Sequence, residues 1–196
     1  MTDFIDRVPR RFEDVNSNEG INTVEFLEAA DGVVMLFDDL GSAAFVIVKN
    51  DIQGNIKKVR TKHESNPEAF NTLEKIVLAE AGTSDRTATQ GLLWLKRGLE
   101  FTAMGVNKNL STANEELSAS FTIAYERTIK QYHNFVVKAA FNLAMRACPS
   151  RVDFYKKLGD NQDNVAANLL IWATALQVLL DKLNIFYSSK DYGKGL

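Results

Sequence analysis

Apolar residues recur at helical spacing from residue 22 to near the end of the chain, and this periodicity constrains the fold more than any other feature. In the first such segment Leu27, Ala30 and Val34 follow one another at the intervals that place side chains on one face of an α-helix. Only three prolines interrupt the sequence, and the nearest approach to a strand is the β-branched run Ala44–Val48, which strand propensity alone would misread. The pattern predicts an all-α fold of about eight helices, in a single domain over residues 1–196.

Capping residues, prolines and glycines divide the helical pattern into segments. Asn22 followed by Glu25 resembles a capping box, in which two side chains satisfy free backbone amides at the start of a helix. Asn66-Pro67 is predicted to open the third helix, and Gly82 to close it. The predicted helices cover about residues 22–41, 42–65, 67–82, 87–106, 111–148, 150–159 and 164–187, the fifth being continuous or kinked near His133.

Composition excludes several functional classes. Lysine and arginine number 23 against 25 aspartates and glutamates, a net charge of −2, and no nucleic-acid-binding motif occurs, so no nucleic-acid partner is expected. The one cysteine, Cys148, leaves no intrachain disulfide or cysteine-based zinc site and indicates a cytoplasmic location. The longest nearly apolar run, Ala166–Leu180, contains Asn168 and Gln177. It is too short and too polar for a bilayer span, and so predicts a buried core helix.

The second predicted helix carries a polar stripe. Asp51, Asn55 and Lys58 stand at positions i, i+4 and i+7, which places them on one face of a helix. One interpretation is a solvated face, in which the Asp-to-Lys spacing supports helicity. The other is a polar head-group site at the mouth of an apolar groove, because an acid, an amide and an ammonium together accept from and donate to sugar hydroxyls.

Trp94 and His133 each allow two interpretations. A tryptophan at helical spacing usually belongs to the core, but its flat indole can also stack on the C–H face of a sugar ring. A lone helical histidine is more often structural than ligand-binding, but a neutral imidazole can donate a hydrogen bond to a carbonyl or hydroxyl. Gly91, Gly98 and Gly105 recur every seven residues around Trp94, which indicates close packing of another helix.

Enzyme signatures are absent from the sequence. It contains no nucleophile elbow, phosphate-binding glycine loop, paired-histidine zinc motif or cluster of acids with two histidines, so neither a metal nor a cofactor is expected. Glycoside hydrolysis needs two carboxylates beside the scissile bond, whereas the polar stripe offers only Asp51. The residues therefore favour binding over catalysis.

Four motifs together resemble the glycolipid transfer protein family. They are Phe37-Asp-Asp-Leu-Gly-Ser42, Asp51-Ile-Gln-Gly-Asn55-Ile-Lys-Lys58, Leu93-Trp-Leu-Lys-Arg-Gly-Leu99 and Tyr132-His133, in the family's order and spacing. The resemblance extends from about Asn22 to at least Leu158. It implies a two-layer, all-helical fold that encloses the hydrocarbon chains of a sphingolipid and presents its head group at the surface.

The resemblance also implies a role for each polar residue. In the family an aspartate on the second helix binds the ceramide amide N–H, and this position matches Asp51. The asparagine and lysine that bind sugar hydroxyls match Asn55 and Lys58. Trp94 matches the tryptophan that stacks on the first sugar, and His133 matches the histidine that binds the amide carbonyl. The residues implied for the apolar chamber are Val33, Phe37, Phe45, Val48, Ile129, Phe141, Phe154 and Leu158.

Gln90 and Phe135 depart from the pattern of the sugar-binding members of the family, and Trp94 does not. The branch that carries ceramide-1-phosphate has arginines where this chain has Gln90 and Trp94, so their absence implies a neutral sugar head group. Gln90 is also more polar than the leucine expected in sugar-binding members. Phe135 stands where some members have a membrane-contacting tryptophan, and Lys130 and Lys138 flank it. It is therefore expected to contact membranes, the alternative being a position in the core.

The expected function is that of a non-enzymatic carrier or sensor for a glycosphingolipid resembling galactosyl-, glucosyl- or lactosylceramide. The chain is expected to be a cytoplasmic monomer that associates transiently with membrane surfaces. Two alternatives stay open, a ceramide-1-phosphate carrier and a helical protein-interaction adaptor whose lipid site is vestigial.

Overall fold

The computed structural model describes residues 2–196, and these residues form nine α-helices and no β-strand. Short 3₁₀ turns at Phe12–Asp14, Ala43–Phe45 and Ile129–Tyr132 join some of the helices. The helices are α1 (Phe4–Arg7), α2 (Thr23–Leu40), α3 (Val46–Ser65), α4 (Leu73–Glu80), α5 (Thr87–Ser111), α6 (Leu117–Arg127), α7 (Phe135–Arg146), α8 (Arg151–Leu158) and α9 (Gln162–Ser189). The all-α prediction is confirmed, with one helix more than the eight expected because α1 precedes the periodic part of the sequence.

Several helix ends follow the capping signals in the sequence. The Asn22 side chain accepts a hydrogen bond from the Glu25 amide at the start of α2, and Ser150 does the same for Asp153 at the start of α8. The Glu25 carboxylate instead accepts from the Asn16 amide, so only half of the expected capping box forms. Gly41 ends α2 in the left-handed region, with φ +72°, a conformation that glycine adopts without steric cost.

The predicted start of the third helix at Pro67 is wrong. Residues 67–71 form turns, and α4 begins at Leu73 with Thr72 as its N-cap. The backbone around the start of α4 forms hydrogen bonds with the start of α2 instead. The Asn71 carbonyl accepts from the Thr23 amide, and the Leu73 amide donates to the Ile21 carbonyl. A tertiary contact with the start of α2 thus overrides the local Asn-Pro signal.

The continuous form of the predicted helix over 111–148 is wrong and its alternative, an interruption near His133, is confirmed, because the chain breaks into α6, a 3₁₀ turn and α7. Thr128 leaves helical geometry at φ −115° and ψ −88°, and the Asn134 side chain caps α7 by accepting from the Val137 amide. The start predicted at Ser111 lies instead inside the last turn of α5. The break exposes the segment that carries His133, which a continuous helix would have held in line with α6 and α7.

α5 is the central helix, with its most extensive contacts to α3, α6 and α9. The glycine repeat makes two of these contacts close. A Cβ at Gly91 would lie 2.9 Å from Lys58 Cβ on α3, and one at Gly105 would lie 2.6 Å from the Phe121 ring on α6. Both separations are shorter than side chains tolerate. The interpretation of this repeat as a packing feature is confirmed.

α9 packs along α5, and its length differs from the short apolar run predicted for this region. Its 28 residues are long and apolar enough to cross a membrane by length and composition, so the prediction that this region is too short and too polar is wrong. One face of the helix, with Trp172, Leu176 and Leu180, is nevertheless fully buried. That burial agrees with the predicted role of α9 as a core helix.

Candidate functional site

The polar stripe on α3 forms a connected row of hydrogen bonds. Asn55 Nδ2 donates to Asp51 Oδ2 at 3.2 Å, and Lys58 Nζ donates to Asn55 Oδ1 at 3.1 Å. Asn55 is buried, Lys58 is half-buried and Asp51 lies at the exposed end of the row. Partial desolvation raises the pKa of the Asp51 carboxyl, an effect that the charge of Lys58 and the Asn55 amide oppose. The solvated-face interpretation therefore fails for Asn55, and the row is preorganised to accept from and donate to one ligand.

The close approach at Gly91 places this row against α5. The Lys58 side chain lies directly over Gly91, one residue after Gln90 and three residues before Trp94. Trp94 is half-buried, so the core interpretation of this tryptophan is wrong. Its indole borders the same space as the α3 row. The two helices lie close together here because Gly91 has no side chain.

His133 closes the site from the third side. Its Nδ1 lies 3.2 Å from the Tyr125 hydroxyl, and its ring is parallel to Trp94 within 9°, with centroids 6.3 Å apart. Burial, helped by the charge of Lys138, lowers the pKa of His133. The lowered pKa favours the neutral imidazole, in which one nitrogen can donate and the other can accept.

These side chains line one cavity of about 450 Å³ between α3, α5 and the segment from Ile129 to α7. Asp51, Asn55, Lys58, Trp94 and His133 all contribute to its wall. The rest of the wall is Ile47, Val48, Ile52, Gln90, Gly98, Phe101, Ile129, Tyr132, Asn134, Val137 and Phe141. The cavity therefore joins a polar rim to an apolar interior. In residues 2–196 no three His, Cys, Asp or Glu side chains group closely enough to hold a metal ion.

The eight residues expected in the apolar chamber divide into two sets. Val48, Ile129 and Phe141 line the cavity. Val33, Phe37, Phe45, Phe154 and Leu158 do not line it and lie in the packed core. Phe37 is one layer behind the wall, because its ring lies 6.4 Å from that of Phe101 and parallel to it within 11°. Phe37 also packs on Phe45, with ring centroids 5.6 Å apart, so these residues belong to the core and the structure shows no separate apolar chamber around them in residues 2–196.

An apolar surface surrounds the mouth of the cavity. Phe135 is 85% exposed and Val136 is 73% exposed at the start of α7, and Ile47, which lines the cavity, is also exposed. The alternative that places Phe135 in the core is wrong, because Asn134 starts α7 with this ring turned outward. Leu143 extends the exposed apolar surface along the same helix.

The sequence analysis gave no individual role to three residues around the site. Tyr125 and Tyr132 contact His133 and Trp94 respectively, but both contacts depend on the chain break after α6. Arg97, whose guanidinium lies over Trp94, could have been found from its i+3 spacing on α5. The tail residue Tyr192 stacks on Phe186, with ring centroids 4.9 Å apart, and is not among the residues that line the cavity.

The comparisons with known proteins agree with one another. A family described as "Glycolipid transfer protein (GLTP)" matches residues 21–160. A glycolipid transfer protein of Aureobasidium melanogenum is 44% identical over 96% of this chain and 94% of its own length. Pleckstrin homology domain-containing family A member 8 of Danio rerio is 36% identical over 97% of this chain, which spans only 37% of that longer relative.

Solved structures extend the match to the fold. The crystal structure of HET-C2, a fungal glycolipid transfer protein, superposes with a TM-score of 0.92 at 41% identity, covering 96% of this chain and 98% of that one. The mouse ceramide-1-phosphate transfer protein superposes with a TM-score of 0.86 at 19% identity, over 97% and 98% of the two chains. At that identity the second match is a similarity of fold alone.

Proposed function

Because this chain belongs to the glycolipid transfer protein family, we propose that it carries a glycosphingolipid between membranes without chemically changing it. The observation that carries this proposal is the convergence of Asp51, Asn55, Lys58, Trp94 and His133 on one cavity. The polar rim of that cavity suits a sugar and an amide, and its apolar interior suits hydrocarbon. A protein-interaction adaptor would not need such a lining.

Asp51 and His133 are the proposed partners of the ceramide amide. The Asp51 carboxylate can accept from the amide N–H, and its hydrogen bond from Asn55 orients it. A Tyr125 hydroxyl that donates to Nδ1 of His133 favours the tautomer with its proton on Nε2. That proton is then available for the amide carbonyl, so both polar atoms of the amide can be satisfied.

Asn55, Lys58 and Trp94 are the proposed partners of the sugar. An amide and an ammonium provide donors and an acceptor for hydroxyls, and the indole provides a flat apolar surface for the C–H face of the ring. The Gln90 carboxamide lies on the same wall and adds a further neutral donor and acceptor. Each group matches one chemical feature of a glycosyl ring.

The charges of the cavity favour a sugar over a phosphate. Among residues 2–196, Lys58 contributes the only ammonium or guanidinium that lines it, and Asp51 offsets that charge. A phosphate monoester carries nearly two negative charges and is best bound by bidentate arginine. The alternative of a ceramide-1-phosphate carrier therefore has less support from the residues, although it shares the fold.

The hydrocarbon chains require the packed core to open. A pocket of this size, within the roughly 300–1,000 Å³ typical of drug-sized ligands, is too small for a head group and two long chains. Burying a 16-carbon chain is worth about 12 kcal/mol, which can offset the separation of side chains such as Phe37 and Phe45. The apolar surface around Phe135 would hold the mouth against a membrane while the lipid transfers.

We further propose that the chain acts as a cytoplasmic monomer and docks only transiently. A carrier must leave one membrane to reach the next, so a single exposed ring with flanking lysines suits it better than a permanent anchor. Galactosyl-, glucosyl- and lactosylceramide are the proposed cargo. A role as a sensor of the same lipid would use the same site.

A vesicle assay tests the proposal directly. Donor vesicles contain fluorescent glucosylceramide, galactosylceramide, lactosylceramide or ceramide-1-phosphate, and the rate of transfer to acceptor vesicles is measured. We expect the sugar lipids to move faster than ceramide-1-phosphate. Faster movement of the phosphate lipid would favour the alternative carrier, and no movement of any lipid, with none bound in native mass spectrometry, would favour the adaptor.

A further inference from the structure

Arg97 lies behind the Trp94 indole, outside the cavity. Its guanidinium carbon is 4.7 Å from the centroid of the Trp94 ring and 3.7 Å from that of Tyr132. Both aromatic residues line the cavity, whereas Arg97 does not. The guanidinium therefore contacts both aromatic residues of the wall without lining the cavity itself.

The two rings are the partners of this guanidinium. In the part of the chain that the structure describes, residues 2–196, the Arg97 guanidinium forms no ion pair and no side-chain hydrogen bond. The neighbouring Lys96 differs, since its ammonium binds Glu100 at 3.0 Å as well as Asn184. Guanidinium groups are weakly hydrated and stack on aromatic faces. The placement of Arg97 is accordingly explained by the rings it contacts.

Trp94 is a side chain whose orientation needs support. It is half-buried, and an indole at a cavity rim can rotate about two side-chain bonds. The Tyr132 ring meets it edge-on at 77°, with centroids 6.2 Å apart. A sugar can stack only if the indole presents its face to the cavity, so rotation of the ring would remove the stacking surface.

We propose that Arg97 is a positioning residue for sugar binding, because its guanidinium fixes the plane of the Trp94 indole through cation–π contact with Trp94 and Tyr132. The proposal rests on the proposed function of Trp94 as the sugar-stacking residue. Arg97 itself does not touch the lipid. It reduces the conformational freedom that Trp94 would otherwise lose on binding.

The same contact joins two parts of the site. Tyr132 ends the 3₁₀ turn that immediately precedes His133, and Arg97 and Trp94 both lie on α5. Arg97 thus ties the chain segment carrying the amide-binding histidine to the helix carrying the sugar-stacking tryptophan. The Tyr132 contact anchors the guanidinium, and the effect of Arg97 on the lipid passes through Trp94.

The test compares binding of short-chain glucosylceramide with binding of the same ceramide lacking the sugar. For Arg97→Met we expect about tenfold weaker binding of the sugar lipid, the size of one to two cation–π contacts, with ceramide binding unchanged. Arg97→Lys is expected to be intermediate, because an ammonium retains the charge but not the planar stacking. Arg146→Met, which removes an exposed charge from α7, is the control and is expected to bind both lipids normally.

A double-mutant cycle separates positioning from a general structural role. We expect Arg97→Met to weaken sugar binding no further when Trp94 is already alanine, because there is no indole left to position. Additive losses, or equal losses for both lipids, would overturn the proposal. A wild-type chain that binds ceramide as tightly as glucosylceramide would instead overturn the proposed sugar site itself. If Arg97→Met lowers the melting temperature, the cycle is run with Arg97→Lys.

Discussion

The chain's two tryptophans occupy different environments. Trp172 on α9 is fully buried, with the rings of Phe4 and Phe12 at centroid distances of 5.6 and 5.0 Å. Trp94 on α5 is half-buried at a cavity, with Arg97 over its ring and His133 parallel to it. The Trp172 region is called the sealed region below, and the Trp94 region the open region.

The difference lies in what surrounds each indole rather than in the helix that carries it. Within residues 2–196 the Trp172 Nε1 is buried and has no hydrogen-bond partner, so the sealed region uses the ring for its volume alone. In the open region the neighbours are cationic or polar, and one side of the ring borders empty space. Identical side chains at helical spacing therefore serve packing in one place and, in the function we propose, recognition in the other.

The largest expected effect comes from truncating each tryptophan. Trp172→Ala is expected to cost about 3–5 kcal/mol of unfolding free energy, because it leaves a large cavity. Trp94→Ala is expected to leave the melting temperature near that of wild type and to slow glycolipid transfer about 10- to 100-fold, through loss of about 1.5–3 kcal/mol of apolar contact. Thermal unfolding and vesicle transfer are measured on both variants.

Replacement by phenylalanine sharpens the same comparison. We expect Trp172→Phe to be tolerated better than its alanine counterpart, since the smaller ring keeps much of the packing and removes an unsatisfied N–H. Equal stability losses for Trp94→Ala and Trp172→Ala would show that the open region is part of the core and that the comparison fails.

The next expected effect concerns Asp51, at the polar rim of the open region. Asp51→Val removes the proposed acceptor of the amide N–H, and a buried amide without a partner costs about 1–3 kcal/mol. We expect transfer to fall about 10- to 100-fold while circular dichroism keeps its helical signal. Asp31→Val on α2, which removes an acid paired with Arg60, is the control, and its transfer rate per folded molecule is expected to stay normal.

The sequence predicted these two regions unequally. For the sealed region it predicted α9 within two residues at each end, because a long apolar pattern with an Asn cap is a strong local signal. It did not predict α1 or the turn Phe12–Asp14, which supply the rings against Trp172. These elements are too short for periodicity to reveal, and tertiary packing stabilises them.

For the open region, the sequence revealed residues but not their assembly. Asp51, Asn55 and Lys58 lie on a single helix, so their spacing alone places them on one face. The meeting of Trp94 with His133 depends on the full break after α6, where the sequence offered a kink near His133 only as an alternative to a continuous helix. The resemblance to the glycolipid transfer protein family indicated that Trp94 and His133 belong to one site, which local sequence patterns could not show.

Two phenylalanines of α7 give a smaller effect and test where the open region ends. Phe135→Ala is expected to weaken vesicle adsorption and slow transfer about three- to tenfold, since part of a ring's roughly 1.5–3 kcal/mol of burial is lost at the membrane, with melting temperature unchanged. Phe141 is buried against Tyr125, and Phe141→Ala is expected to cost about 3–5 kcal/mol of stability. A large fall in melting temperature for Phe135→Ala would show that Phe135 stabilises the fold and would contradict a purely interfacial role.

Two glycines test whether close packing sets the geometry of the open region. Gly91→Ala places a methyl 2.9 Å from Lys58 Cβ, and the expected overpacking of about 1–3 kcal/mol exceeds the gain of about 1 kcal/mol in helix propensity. Transfer is expected to slow as Lys58 is displaced. Gly54→Ala on α3 meets nothing within 4 Å and is expected to gain stability with normal transfer, so a similar gain for Gly91→Ala would contradict the close packing.

The smallest expected effect is a pH dependence of stability at Asp51. Its pKa is raised in the folded protein, chiefly by desolvation, so the folded state holds a proton that the unfolded state has already released. Stability contributed by this group is therefore lost as pH rises through the folded pKa and is regained as pH falls below about 4, the unfolded value. Asp51→Asn, which cannot ionise, is expected to melt slightly above wild type at pH 7 and to lose that advantage near pH 4.

Transfer by the wild type is expected to fall on acidification at a higher pH than an ordinary aspartate would give, because the protonated carboxyl is a weaker acceptor. A melting temperature for Asp51→Asn below that of wild type at pH 7 would mean that the carboxylate stabilises the fold. Asp51 in the open region would then contribute to stability, as Trp172 does in the sealed region.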